Sequence, residues 1–302
     1  MRPLSLAERG LAAPTVSLAT LLAGEGVPLE GTTPVALGDY AHEIVRGGFP
    51  GIRVHQGRAL RTQFDGYLAR VIDREIPDEA GVAVRRPEAL RSLMAAYAAS
   101  TSTATSIEKI RLAAGGGAPL SDRTEKSYRT ALTRLWILDP LPGWRPTMSP
   151  MGRVSGQPRH HLADPALAAR LLGATEDSLL SGQGPTGVAI PRDGTLIGGL
   201  FESLVTLSAR VYAQQCEAQA FHFRTSAGEH EVDLIVERAD RRFVGIEIKL
   251  TTTVTDRDCR HLTWLKRQMG DRMLDAIVVT TGREAYRRPD GIGVVPAALL
   301  GP

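Results

Sequence analysis

The chain has 302 residues, 43% of them hydrophobic and 23% charged, the balance of a globular protein with enough charge to solvate its surface. No apolar run approaches the roughly 18 residues a membrane helix needs, and the first residues carry no apolar stretch of signal-peptide length, so a cytoplasmic protein with no membrane contact is expected. The net charge is only +3, yet residues 81–160 hold 12 Lys and Arg against 5 Asp and Glu, and a basic middle of this kind points to a polyanionic partner. Cys216 and Cys259 are far apart and form no C-x-x-C pair, which reads as two reduced thiols. No GxxxxGK[ST] occurs, so no ATP is expected to bind: a phosphate cradle needs glycine backbone freedom and a lysine together.

In chain order, residues 1–80 read as a helical segment. A helix from Gly57 to Ile76 sets Leu60, Phe64, Tyr67, Leu68, Val71 and Ile72 on one face, with Pro77 as its end, after a Gly47-Gly48-Phe49-Pro50-Gly51 turn. Residues 81–173 read as three helices and a hairpin. Pro87 opens the first helix, running through Ser100. Ser106 caps the second, and Ser121 caps the third, whose apolar stripe is Tyr128, Leu132, Leu135 and Trp136. Arg123, Lys126, Arg129 and Arg134 occupy its other faces. A Pro- and Gly-broken stretch and a short strand at His160–Leu162 follow. This is the order of a winged helix-turn-helix, and a bundle used for packing or protein contact fits the same pattern. Residues 174–198, rich in Gly, Ser and Pro, read as a linker.

Residues 199–302 change to α/β. A helix from Gly199 is followed by strands at Ala220–Arg224, Glu231–Glu237 and Phe243–Leu250, a helix capped by Thr255 or Asp256, and strands at Ala276–Thr280 and Gly291–Val295. That order describes one open sheet covered by helices. Strand alternation puts Glu247 and Lys249 on one face, away from Val244, Ile246 and Ile248. Asp233 projects from the neighbouring strand towards the same face, and Glu202 adds an acid on the preceding helix. Two close carboxylates repel unless a cation neutralises them, and oxygen-only ligands suit Mg²⁺ or Mn²⁺. Such a site can polarise a phosphodiester, with Lys249 orienting water or stabilising charge. A surface salt-bridge cluster is the alternative for the same spacing.

The segments FHFRTSAGEHEVDLIVE, GIEIKL and TGRE resemble those of a prokaryotic AAA-type ATPase family of largely unknown function, whose C-terminal half is a winged helix followed by a PD-(D/E)XK nuclease-like domain. MRPLSLAE resembles the tail of the ATPase core, GGFP its helical lid, SDRTEKSYRTAL the recognition helix, HHLADPALA the post-wing strand, and GGLFESLV the start of the nuclease-like domain. The resemblance implies α/β plus α architecture: a lid remnant over 1–80, a winged helix-turn-helix over 81–173, and a PD-(D/E)XK-like open sheet over 199–302. It implies Asp233 and Glu247 as metal ligands with the Ile248 carbonyl as a third, Lys249 as the catalytic lysine, and Glu202 as an auxiliary acid. It also implies Arg224 as a phosphate contact. The family's nucleotide-binding core is missing from this sequence, so no ATP-driven role is expected.

Taken together, the expectation is a DNA-binding protein with a Mg²⁺- or Mn²⁺-dependent phosphodiester-cleaving site. Arg123, Lys126, Arg129 and, on the wing, Arg153 would supply affinity for DNA. A non-catalytic DNA-gripping module and a protein-interaction fragment serving a separate ATPase subunit, or a homo-oligomer, stay open beside it.

Overall fold

A computed structural model describes residues 2–24, 26–114, 120–146, 156–182, 196–225 and 228–302. The chain is mixed α/β and divides into two compact units. One contains Ala41–Pro140 and Arg159–Ser203. The other contains Arg2–Tyr40, Leu141–Pro158 and Leu204–Pro302.

The first unit is helical. Its helices include Gly57–Arg70, Pro87–Ala99, Ile107–Ala113, Asp122–Arg134 and Pro165–Leu171. Pro87 stands at the start of its helix, where a missing N–H costs nothing, and the side chains of Ser106 and Ser121 accept from the amides of Lys109 and Thr124. Asp164 caps the Pro165–Leu171 helix through the Ala166 amide and also accepts from the Gly48 amide at 2.7 Å. The double-glycine turn and the Ala-Asp-Pro turn are thereby tied together. Gly47 has φ +72°, and a Cβ there would lie 2.8 Å from Ala166 Cβ, so only glycine fits.

Three local expectations change here. Pro77 does not end its helix: a π-helical turn, Val71–Glu75, widens the ladder, and the helix continues through Ile76–Asp78. The third basic-region helix stops at Arg134, and Trp136, at φ +58°, is half exposed instead of joining the apolar stripe. The short strand at His160–Leu162 is reduced to single bridges, Thr103 to His160 and Leu138 to Leu162.

The second unit is built on a six-stranded sheet. In chain order the strands are β1 (Gln219–Arg224), β2 (Glu231–Glu237), β3 (Phe243–Lys249), β4 (Met273–Thr280), β5 (Tyr286–Arg287) and β6 (Gly293–Pro296). They lie in the order β1-β2-β3-β4-β6-β5. β1, β2 and β3 are antiparallel neighbours, while β3, β4 and β6 run parallel. Parallel neighbours need a crossover, supplied between β3 and β4 by the helix Asp256–Met269, which begins in a reciprocal Thr255/Asp258 capping box. Cys259, Leu262 and Leu265 of this helix pack on Phe223, Val232, Ile235, Phe243, Met273 and Val278. Burial pushes the Cys259 thiol up to about 11, so it stays a protonated core residue.

Segments distant in sequence complete this unit. Leu18–Ala23 forms a helix against β3 and β4. Tyr40 accepts from the Ala298 amide, and Ser208 and Tyr212 accept from the amides of Leu6 and Ala7. Trp144 stacks obliquely near Phe243 at 4.8 Å, and its indole N–H donates to the buried Glu237 at 3.0 Å. Residues expected to form a wing thus begin by filling the sheet's core.

By length and composition the helix Leu196–Gln215 is apolar enough to cross a membrane, contrary to the expectation that no such stretch exists. Two-thirds of that span (67%) is buried inside the protein, as in a core helix.

The crossover helix lies so close to β3 that a Cβ at Gly245 would meet Met273 Cε at 2.5 Å and Leu262 Cδ2 at 3.1 Å. Gly245→Val should therefore destabilise by about 1–3 kcal/mol through overpacking, read as a lower urea midpoint with unchanged slope.

Candidate functional site: two carboxylates and a lysine on adjacent strands

The β2–β3 hairpin turns at Arg238–Arg242, closed by the Arg238 amide donating to the Arg242 carbonyl, with Arg241 at φ +70°. Its register pairs Val236 with Val244 and Leu234 with Ile246. One step further sets Asp233 opposite Glu247, and directly opposed residues of an antiparallel pair share a face. Lys249 follows Glu247 by two and lies on that face as well.

Lys249 Nζ donates to Glu247 Oε1 at 2.7 Å and stands 3.8 Å from Asp233 Oδ2. Asp233 Oδ2 also accepts from the Ile248 amide at 2.8 Å. In a strand the N–H and C=O of one residue project to the same side, so the Ile248 carbonyl faces the Asp233 strand too. Both carboxylates are buried, Glu247 with 3% and Asp233 with 7% of its surface exposed. Alternation sets Glu247 on the face away from Val244, Ile246 and Ile248, and that face is covered as well: the crossover helix lies over it, and residues from Phe243 to Ile248 are buried. Buried charges persist only when paired and hydrogen-bonded, which Lys249 and the Ile248 amide provide here.

The ring of His261, on the crossover helix, belongs to the same neighbourhood. Burial chiefly holds its pKa below the usual histidine value, with Arg260, His230 and Lys249 acting in the same direction and Asp233 opposing. His261 Nδ1 lies 3.4 Å from His230 Nδ1, and the His230 ring stacks on Trp264 with centroids 3.9 Å apart. Sequence reasoning missed these three. His261 and Trp264 share a helix face by their i, i+3 spacing, but nothing in the sequence ties that face to His230.

Glu202 is ion-paired with the buried Arg159, in the helical unit. Arg224, at the end of β1, sits 4.0 Å from Glu231 and lies against Gly228, leaving about half its side chain exposed. Arg123 and Lys126 are exposed on the Asp122–Arg134 helix. Arg129 is held by the buried Glu125 at 2.9 Å, which also accepts from the Tyr97 hydroxyl. Arg153 lies outside the described residues.

Among the described residues no group of three or more His, Cys, Asp and Glu could hold a metal ion. The donor set nevertheless fits Mg²⁺, which is commonly held by one or two carboxylates, with waters and substrate phosphates completing its shell. Asp233 and Glu247 would hold it, with the Ile248 carbonyl facing the same side.

Comparison with known proteins gives two family matches. Residues 197–300, the segment that carries Asp233, Glu247 and Lys249, match a domain of unknown function, DUF4143. Residues 37–178 match a second domain of unknown function, DUF8612. No curated protein and no solved structure matches the chain.

If Lys249 neutralises this pair, Lys249→Met should lower unfolding free energy by about 1–3 kcal/mol. That is less than the roughly 3–5 kcal/mol for a fully buried pair, because a third of the lysine side chain is exposed. Adding Asp233→Asn should restore part of the loss. Strict additivity in the urea-denaturation cycle would mean that the two groups do not interact.

Proposed function

We propose that this chain is a DNA-binding protein whose C-terminal sheet carries a Mg²⁺-dependent phosphodiester-cleaving site of the PD-(D/E)XK type, formed by Asp233, Glu247 and Lys249. The observation that carries the reading is the meeting of two buried carboxylates and one lysine across a single antiparallel strand pair, 2.7 and 3.8 Å from the ammonium. The open sheet with a helical crossover and the DUF4143 match over the same residues support it. So does the resemblance of GIEIKL and its neighbours to the nuclease-like domain of an AAA-type ATPase family.

A bound Mg²⁺ or Mn²⁺ would supply charge to polarise the scissile phosphate and lower the pKa of a water. Asp233 and Glu247 would orient the cation. Lys249, shifted from the carboxylates towards the phosphate, would stabilise the charge that develops there. The Ser121-capped helix with exposed Arg123 and Lys126, read as the recognition helix of a winged helix, would bind the backbone. Arg129 would contribute less, because its guanidinium is already paired with Glu125.

A second reading has its own observation. Lys249 already bridges both carboxylates and offsets one of their two negative charges without a metal, and a non-catalytic sheet that grips DNA or a protein partner fits that arrangement.

The experiment is cleavage of linear, single-stranded and branched DNA with Mn²⁺, run beside thermal unfolding with and without the ion. Asp233→Ala and Glu247→Ala should each remove cleavage and the Mn²⁺-induced rise in Tm. Lys249→Ala should keep the Tm rise but lose about 10²–10³-fold in turnover. A wild type showing neither a Tm shift nor cleavage of any substrate would leave the non-catalytic reading standing.

A further inference from the structure

The helical unit contains a cleft of about 670 Å³ lined by Arg85, Arg86, Arg123, Thr124, Ser127 and Tyr128. One wall is the segment Gly81–Arg86, which leaves the preceding helix through a turn with Gly81 at φ +67° and the Val82 amide bonded to the Ile76 carbonyl. The other wall is the start of the Asp122–Arg134 helix. The walls are fastened together: the buried Tyr128 phenol meets the backbone of Arg85.

Its charge is unbalanced. Arg85 and Arg123 make no ion pair among the described residues, and both are exposed. Arg86 has only Glu88, at 3.9 Å, with both side chains more than half exposed. The acid beside the cleft, Asp122, is taken by Arg111 at 3.0 Å, which also donates to the Leu120 carbonyl at 2.8 Å. Three guanidinium groups therefore line an open cleft against a single exposed carboxylate partner among the described residues, Glu88. Guanidinium presents a planar fork of donors that matches phosphate oxygens, and the hydroxyls of Thr124 and Ser127 add neutral polar partners.

We infer that this cleft binds phosphate groups of a nucleic-acid backbone, with Arg85 and Arg86 as anchors beside Arg123. A chain polyanion is favoured over a small phosphate because the positive surface continues past the cleft to Lys126 on the same helix. This inference deepens the DNA-binding half of the proposed function, rests on it, and is independent of the metal site.

The test uses the full chain in EDTA, so that cleavage cannot intervene, with a short labelled duplex and the matching single strand followed by fluorescence anisotropy. Arg85→Glu with Arg86→Glu should weaken binding at least about tenfold near 100 mM salt and make the log K against log salt slope shallower by about 2. Arg85→Lys with Arg86→Lys, which keeps the charge, should retain most of the affinity and guards against loss of folding. Unchanged DNA affinity in a folded glutamate variant overturns the cleft assignment while the DNA-binding reading stands. A wild type that binds neither DNA form removes the DNA-binding reading and this inference with it. Inorganic pyrophosphate is the third probe: saturable binding that the glutamate variant loses, with DNA affinity unaffected, would overturn the nucleic-acid assignment in favour of a small phosphate ligand.

Discussion

Two carboxylates buried side by side are tolerated in a protein only if something positive stands between them, and in this chain that something is Lys249. Asp233 and Glu247 are fixed opposite one another by the β2–β3 register, so the repulsion cannot be relieved by turning one side chain away. The backbone amide of Ile248 and the ammonium of Lys249 offset it. Much of the surrounding fold follows from holding that arrangement: the tight hairpin keeps the register, and the crossover helix shields the face. Its close approach at Gly245 leaves the strand no room to slip.

The proposed function gives such a site a second electrostatic state beside the one the structure shows. With Lys249 inserted, one of its two negative charges is offset. If Asp233 and Glu247 held a divalent cation, as proposed, it would supply the charge that Lys249 now provides and Lys249 would be freed to face an anion. On that reading the exchange would need little more than a change of lysine rotamer, since a third of the Lys249 side chain is already exposed. His261 adds a group beside the site whose charging burial opposes.

Much of this sheet was legible in the sequence because its strands obey simple alternation. Glu231–Glu237 and Phe243–Lys249 read directly from period-two apolar residues, and parity alone sets Glu247 and Lys249 on one face. The helix starts at Ser106, Ser121 and Thr255 were readable for an equally local reason, since a cap is written within four residues. What could not be read depends on contacts between distant segments. Residues 2–40 look like generic short helices, yet Leu6, Leu18 and Tyr40 are buried in the sheet unit. Trp144 sits in a Pro- and Gly-rich stretch that reads as a wing, and only the three-dimensional fold shows its indole on Glu237. Tyr286–Arg287 is two residues long, too short for any periodicity. The burial of Asp233 and Glu247 was missed because alternation gives the face a side chain takes but not what covers it. Arg85 and Arg86 went unnoticed because their significance comes from standing opposite Arg123 across a cleft.

The central claim is that Asp233, Glu247 and Lys249 form one cation-responsive centre. The most direct measurement is crystallographic: crystals grown without metal and then soaked in Mn²⁺, with data collected at the manganese absorption edge. The account predicts one anomalous peak within coordinating distance of both carboxylates, with Lys249 Nζ displaced from Glu247 Oε1. A site that stays free of anomalous density at saturating Mn²⁺, with Lys249 still bridging the two carboxylates, would contradict it.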